Sequence, residues 1–221
     1  MSARQFIFSA SFLLVFAYGC ASKPAVLDGF ETRPTQVSFQ VVDERPEGEK
    51  SWERLSGLIT SCDYEIHRVG DDQTVPSRMD LLRQDLELAL GTRLSNTALT
   101  VSSYRIFLNA GARVRNGVVD TFGGVVAPIM AGMGSNCSKE ETTDGWYAAS
   151  ELTRPTSPFI IEIEAKFEGH SYSVRTVYSP EVQINGFKLD DPPAATALFQ
   201  AMHQANARLT EEMRLQASKP N

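Results

Sequence analysis

The chain has 221 residues, 21 basic against 27 acidic for a net charge of −6, and 42% hydrophobic residues. The acidic balance argues against nucleic acid as a partner and against electrostatic capture by anionic lipid. The apolar content excludes a wholly disordered chain, and the length suits one domain with a real core.

Arg4 is the only charge before an apolar run from Phe6 to Tyr18, and Gly19-Cys20-Ala21-Ser22 follows. A basic start, an apolar stretch and small residues make a secretory signal. As a helix the run would measure about 20 Å against a hydrocarbon core of roughly 30 Å, so it is expected to be cleaved rather than to span. Ala17-Tyr18-Gly19-Cys20 resembles the lipobox of bacterial lipoproteins. Gly19 supplies the small residue before the cysteine; Ala17 stands where leucine is usual, and Tyr18 is bulkier than the usual Ala or Ser. The resemblance implies removal of residues 1–19, diacylglyceryl transfer to the Cys20 thiol and acylation of the new amine by a chain such as palmitate. With Ala21 rather than Asp after the cysteine, it also implies an outer membrane, with the domain facing the periplasm. Two or more acyl chains anchor stably where one binds reversibly.

Residues 20–35 hold Lys23-Pro24, Gly29 and Arg33-Pro34 without periodicity and are expected to be a lipidated tether. Gln36 to Val42 alternates, with Val37, Phe39 and Val41 on one face, and predicts a strand ending at Asp43-Glu44-Arg45-Pro46. Residues 47–56 read as a loop. A second strand is expected within Leu58 to Val69, ended by Gly70-Asp71-Asp72. Ser77 and Asp80 fit a capping box, and Leu82, Leu86, Ala89, Leu90 and Leu94 recur at helical spacing, so Ser77 to Leu94 is an amphipathic helix. Leu99 to Leu108 is a strand whose apolar phase changes midway, which a bulge near Ser102-Ser103 reconciles.

Phe159, Ile161, Ile163, Ala165 and Phe167 alternate with charged residues and predict a hairpin to Tyr178. A type II′ turn at Gly169-His170 would place Phe167 opposite Tyr172, Ala165 opposite Val174, Ile163 opposite Thr176 and Glu164 opposite Arg175. Asp190-Asp191-Pro192-Pro193 opens a last helix with the stripe Leu198, Met202, Ala205, Leu209 and Met213, ahead of a flexible tail at 217–221. The expected fold is a single α+β domain over 36–216, with one antiparallel sheet of about five strands and two amphipathic helices on one face.

Beyond Cys20 the cysteines are Cys62 and Cys137. In an exported chain such a pair suggests a disulfide, closing a loop worth roughly 4.5 kcal/mol in the chain-entropy model; two free thiols are the alternative. The insertion at about 111–158 fits no simple element. Within it Phe122, Val125, Val126, Ile129, Met130 and Met133 make an apolar, Gly-rich stretch, readable as a packed loop or as a partner-binding or membrane-touching hairpin. His67, His170 and His203 are scattered, with no metal-ligand spacing. No GxSxG is present, Asp71-Asp72 and Asp190-Asp191 read as turn and cap residues, and Trp146-Tyr147 as a loop anchor. No catalytic residue, metal or cofactor is expected.

The strand ending in Asp43-x-Arg45-Pro46, the Leu-rich helix Ser77 to Leu94, the strand after it and the closing strand-strand-helix are similar to YajG-type envelope lipoproteins. The resemblance covers Gln36 to Leu108 and Phe159 to Met213 and implies an α+β domain on the periplasmic side of the outer membrane, without known catalysis. The expected function is a non-enzymatic accessory or scaffold lipoprotein that binds another envelope protein. The alternative is a lipoprotein holding a glycan or lipid between helix and sheet.

Overall fold

In a computed structural model of the protein, residues 24–27, 39–55, 66–91, 98–111, 157–181, 184 and 188–218 are described. The fold is α+β with a mostly antiparallel sheet. Its elements in chain order are β1 (Ala25–Val26), β2 (Gln40–Asp43), α1 (Glu47–Lys50), β3 (Glu53–Arg54), β4 (Ile66–Arg68), a 3-10 turn (Asp71–Gln73), β5 (Thr74–Val75), α2 (Arg78–Leu90), β6 (Ala98–Asn109), β7 (Phe159–Phe167), β8 (His170–Tyr178) and α3 (Pro192–Ala217).

The long strand β6 organises the main sheet, whose order is β3-β4-β6-β7-β8. On its other edge, β2 pairs parallel with Ala98–Val101, while β4 pairs antiparallel with Phe107–Asn109. The sheet therefore has six strands, and one pair in it is parallel, against an expected all-antiparallel sheet of about five. A parallel pair needs a crossover, and α2 lies on the connection from β2 to β6. Residues 47–56 carry α1 and β3 rather than a bare loop. Within the stretch 20–35 expected as a tether, the described residues 24–27 join the fold: Ala25–Val26 pairs parallel with Thr74–Val75, and Ala25 is buried in the core.

The phase change in β6 is a bulge, with the register to β7 shifting between Val101 and Ser103. It lets Leu99 and Val101, then Tyr104, Ile106 and Leu108, all face inward, and all five are fully buried. Opposite them lie Phe167, Ala165, Ile163, Ile161 and Phe159 in that order. Each large side chain in this double row contributes about 1.5–3 kcal/mol by leaving water, enough to fix the face of both strands. Leu81, Leu82 and Leu86 of α2 join the same core with Leu198, Met202, Ala205, Leu209 and Met213 of α3.

The β7–β8 hairpin has the expected strand limits but a different turn. Phe167 pairs with His170, leaving Glu168 (φ 50°) and Gly169 (φ 80°) as the central residues, both left-handed, as a type I′ turn requires. Moving the turn by one residue moves every partner by two: Ala165 pairs with Tyr172, Ile163 with Val174, Ile161 with Thr176 and Glu162 with Arg175. A shift of two keeps each side chain on its face. The third strand explains the choice. This register sets Glu162 between Arg105 of β6 (2.7 Å) and Arg175 of β8 (3.5 Å).

Ser77 caps α2 by accepting from the Asp80 N–H at 3.1 Å, as expected. The helix stops at Leu90 because Gly91 takes φ 54° and turns its N–H back to the Glu87 carbonyl. Asp191 is the N-cap residue of α3, with proline in the first turn.

Candidate functional site

Between the places where β2 and β4 leave β6, the edge of β6 at Tyr104 is closed by side chains. The Glu49 carboxylate accepts the Tyr104 N–H at 2.5 Å and the Ser103 hydroxyl at 3.2 Å. The Arg78 guanidinium donates to the Tyr104 carbonyl at 2.6 Å and the Val69 carbonyl at 3.0 Å. Both backbone groups of Tyr104 are thus satisfied without a strand neighbour, which a buried backbone demands.

Arg78 belongs to an ionic cluster built on Asp43, Arg45 and Asp71, with Lys50 at its margin 3.8 Å from Asp43. Its Nε reaches Asp71 at 2.5 Å, and Asp71 also receives Arg45 at 2.9 and 3.2 Å. Arg45 forks onto Asp43 at 2.8 and 2.9 Å, so one guanidinium holds two carboxylates and one carboxylate holds two guanidiniums. The short Asp-x-Arg spacing brings Asp43 back onto Arg45, and the Arg45 N–H donates to the same carboxylate at 3.1 Å. Gly70, just before Asp71, packs so tightly that a Cβ would come within 2.4 Å of Asp72 Oδ1 and 2.6 Å of the Trp52 nitrogen.

The electrostatics hold these charges in place. Hydrogen bonding from Arg45, against the opposing effect of burial, draws Asp43 from 3.8 down to about 2. Burial disfavours the Arg45 charge, but the hydrogen bonds it donates to Asp43 and Asp71 outweigh it and raise its pKa. Burial lowers Arg78, with Asp71 resisting, though a guanidinium stays charged in proteins. An Asp43 carboxylate held ionised by a guanidinium is a poor proton donor near neutral pH. The cluster's chemistry is that of a clamp.

A second polar chain ties the helices to the sheet. The Tyr104 hydroxyl donates to Asn206 at 2.9 Å, Asn206 donates to Asp85 at 2.7 Å, and Asp85 meets His203 Nδ1 at 2.9 Å. Burial raises Tyr104 above the ordinary phenol value, while the hydrogen bond to Asp85 raises His203. A third feature is open. A groove of about 300 Å³ between β8 and the end of α3 is lined by His170, Ser171, Tyr172, Ser173, Glu212 and Gln216.

Cys20, Cys62 and Cys137, the apolar stretch Phe122, Val125, Val126, Ile129, Met130 and Met133, and Trp146-Tyr147 lie outside the described residues. Asp71, read as a turn former, does open the 3-10 turn and is also the hub of the ionic cluster. Glu49 and Asn206 carried no sequence signal as buried polar residues, because their partners are far away in the chain, and Arg78 carried none because its burial depends on β6 as well as on nearby Asp71. The histidines separate: His67 is buried and stacks on Trp52 at 6.1 Å, His170 lines the groove, and His203 pairs with Asp85. Among the described residues no cluster of His, Cys, Asp or Glu is arranged to hold a metal ion, and no helix is long and apolar enough to cross a membrane. Comparison with known proteins finds no matching family model, curated protein or solved structure, so the candidate site is read from this chain's own geometry.

Proposed function

We propose that the protein is a non-enzymatic lipoprotein of a bacterial outer membrane, anchored through acylated Cys20, whose α+β domain binds another envelope protein as an accessory or scaffold. In this reading α2 and α3 together cover one face of the sheet and leave its β8 edge for the partner. The observation that carries the binding half is that edge. Among the described residues β8 has only β7 as a strand neighbour, and its nine residues contain no proline or bulge. Edges are ordinarily guarded by such devices, and an unguarded one is a template for a further strand. The Phe167–His170 pair closes the turn, so alternation turns the backbone groups of Ser171 and Ser173 outward.

The test is crosslinking in live cells from a photoreactive residue at position 171, with and without Ser173→Pro. Proline removes an outward N–H and is tolerated on an edge. Capture of an envelope protein that Ser173→Pro abolishes, at an unchanged thermal midpoint, is the expected result. Capture of glycan or lipid alone defeats the accessory reading. The anchoring half is checked by mass spectrometry of the native amino terminus. An unmodified start at Met1 removes it.

A second reading, a glycan-binding lipoprotein, draws on the groove beside α3. Its hydroxyls, carboxylate, amide and single aromatic ring suit a sugar better than an acyl chain, which would need apolar walls.

A further inference from the structure

β1 is not part of a loose linker. The Leu27 N–H donates to the Val75 carbonyl at 2.9 Å, Ala25 is 1% exposed, and the pair Val26–Val75 lies in register. Of the described residues, these two valines are among the few large apolar side chains left in water, at 54% and 49% exposure. The chain from Cys20 to Ala25 is five residues, a reach of at most about 18 Å at ~3.6 Å each, whatever its path. By contrast, α3 with its 26 residues is about 39 Å long at 1.5 Å per residue. An anchor at Cys20 therefore keeps the β1–β5 corner within about 18 Å of the bilayer, a reach shorter than α3 is long.

We propose that the β1–β5 corner, through Val26 and Val75, rests on the lipid surface and fixes the orientation of the domain on its membrane. The proposal rests on the acylation of Cys20 argued above. Charge near the corner is compatible with it. Asp71, three residues before Thr74, is neutralised by Arg45 and Arg78, although Asp72 is exposed. The other end of the helices supplies an internal control. Leu88 lies ten residues along α2 from Arg78, about 15 Å. The Arg214 side chain donates to the Ala89 carbonyl, so Leu215 shares that end, and both leucines are exposed apolar residues.

The experiment uses the full-length acylated protein in vesicles of phosphatidylethanolamine with a minority of phosphatidylglycerol. A photoreactive amino acid replaces Val26, Val75, Leu88 or Leu215, one at a time, and phospholipid adducts are read by mass spectrometry. Adducts at positions 26 and 75 several-fold above those at 88 and 215 are expected. Equal yields at all four sites, in protein whose amino-terminal peptide carries its acyl chains, overturn the membrane-facing corner and leave the anchor intact. An amino-terminal peptide without acyl chains overturns the anchor, and the corner proposal falls with it.

Discussion

Arg78 is the side chain on which most local order depends. It is fully buried, neutralises Asp71 and satisfies two backbone carbonyls of different elements. Replacing it with methionine keeps much of the volume but leaves a carboxylate and two carbonyls without that donor. Asp71 keeps Arg45, so the cost comes mainly from the buried carbonyls, about 1–3 kcal/mol for an acceptor left unsatisfied. Urea denaturation of Arg78→Met should show a loss of that size; a change under about 1 kcal/mol, the usual worth of a surface pair, would mean the cluster is not a clamp. The pH dependence follows from two groups with opposite signs. Asp43 is depressed on folding, so its contribution is present above 3.8 and fades as pH falls toward about 2; Asp43→Asn should flatten the acid limb of a stability–pH curve there. His203 is raised, so its contribution is complete below 6.5 and is lost as pH rises through the higher folded value; His203→Gln should remove that decline on the alkaline side of 6.5.

At the scale of elements, the hairpin shows how a turn and a sheet negotiate. A type I′ turn wants Asn-Gly, and this chain offers Glu-Gly. Holding a non-glycine residue in the left-handed region costs roughly 1–2 kcal/mol, and Asn tolerates that region better. Glu168→Asn should therefore raise stability by about 0.5–1 kcal/mol, checked by thermal and urea midpoints. A destabilisation would indicate that the turn sits instead at Gly169-His170. The register that demands the strained residue is the one that places Glu162 between two arginines, a contact no two-stranded argument reaches. The bulge in β6 has a comparable logic: it keeps both halves of the strand facing the core, and Glu49 takes up the Tyr104 N–H.

At the scale of the molecule, β1 decides whether residues 24–27 belong to the folded unit. If β1 belongs to the core, Ala25→Asp buries a charge with no partner and should destabilise the domain by about 2 kcal/mol or more in urea denaturation. If residues 20–35 were a tether, the same substitution would stay within about 0.5 kcal/mol. This difference carries into function. On the proposed anchoring at Cys20, a domain pinned close to its anchor would present a fixed face to the bilayer, and a tethered one would tumble above it.

Periodicity alone was enough to place α2, β6 with its bulge, the β7 and β8 strands and α3. Each is long enough for its own apolar alternation to reveal its type and buried face. The class α+β follows from their order. The parallel pairing of β2 with β6, the two-residue strands β1, β3 and β5, and the ionic cluster came only from the tertiary structure. Two residues have no periodicity to read. A buried Arg78 becomes tolerable only when Asp71, across the turn before α2, and the more distant Tyr104 carbonyl are folded against it. Local pattern chooses elements because it sums many small apolar terms along one segment, whereas pairing and buried charge depend on groups that only the completed fold brings together.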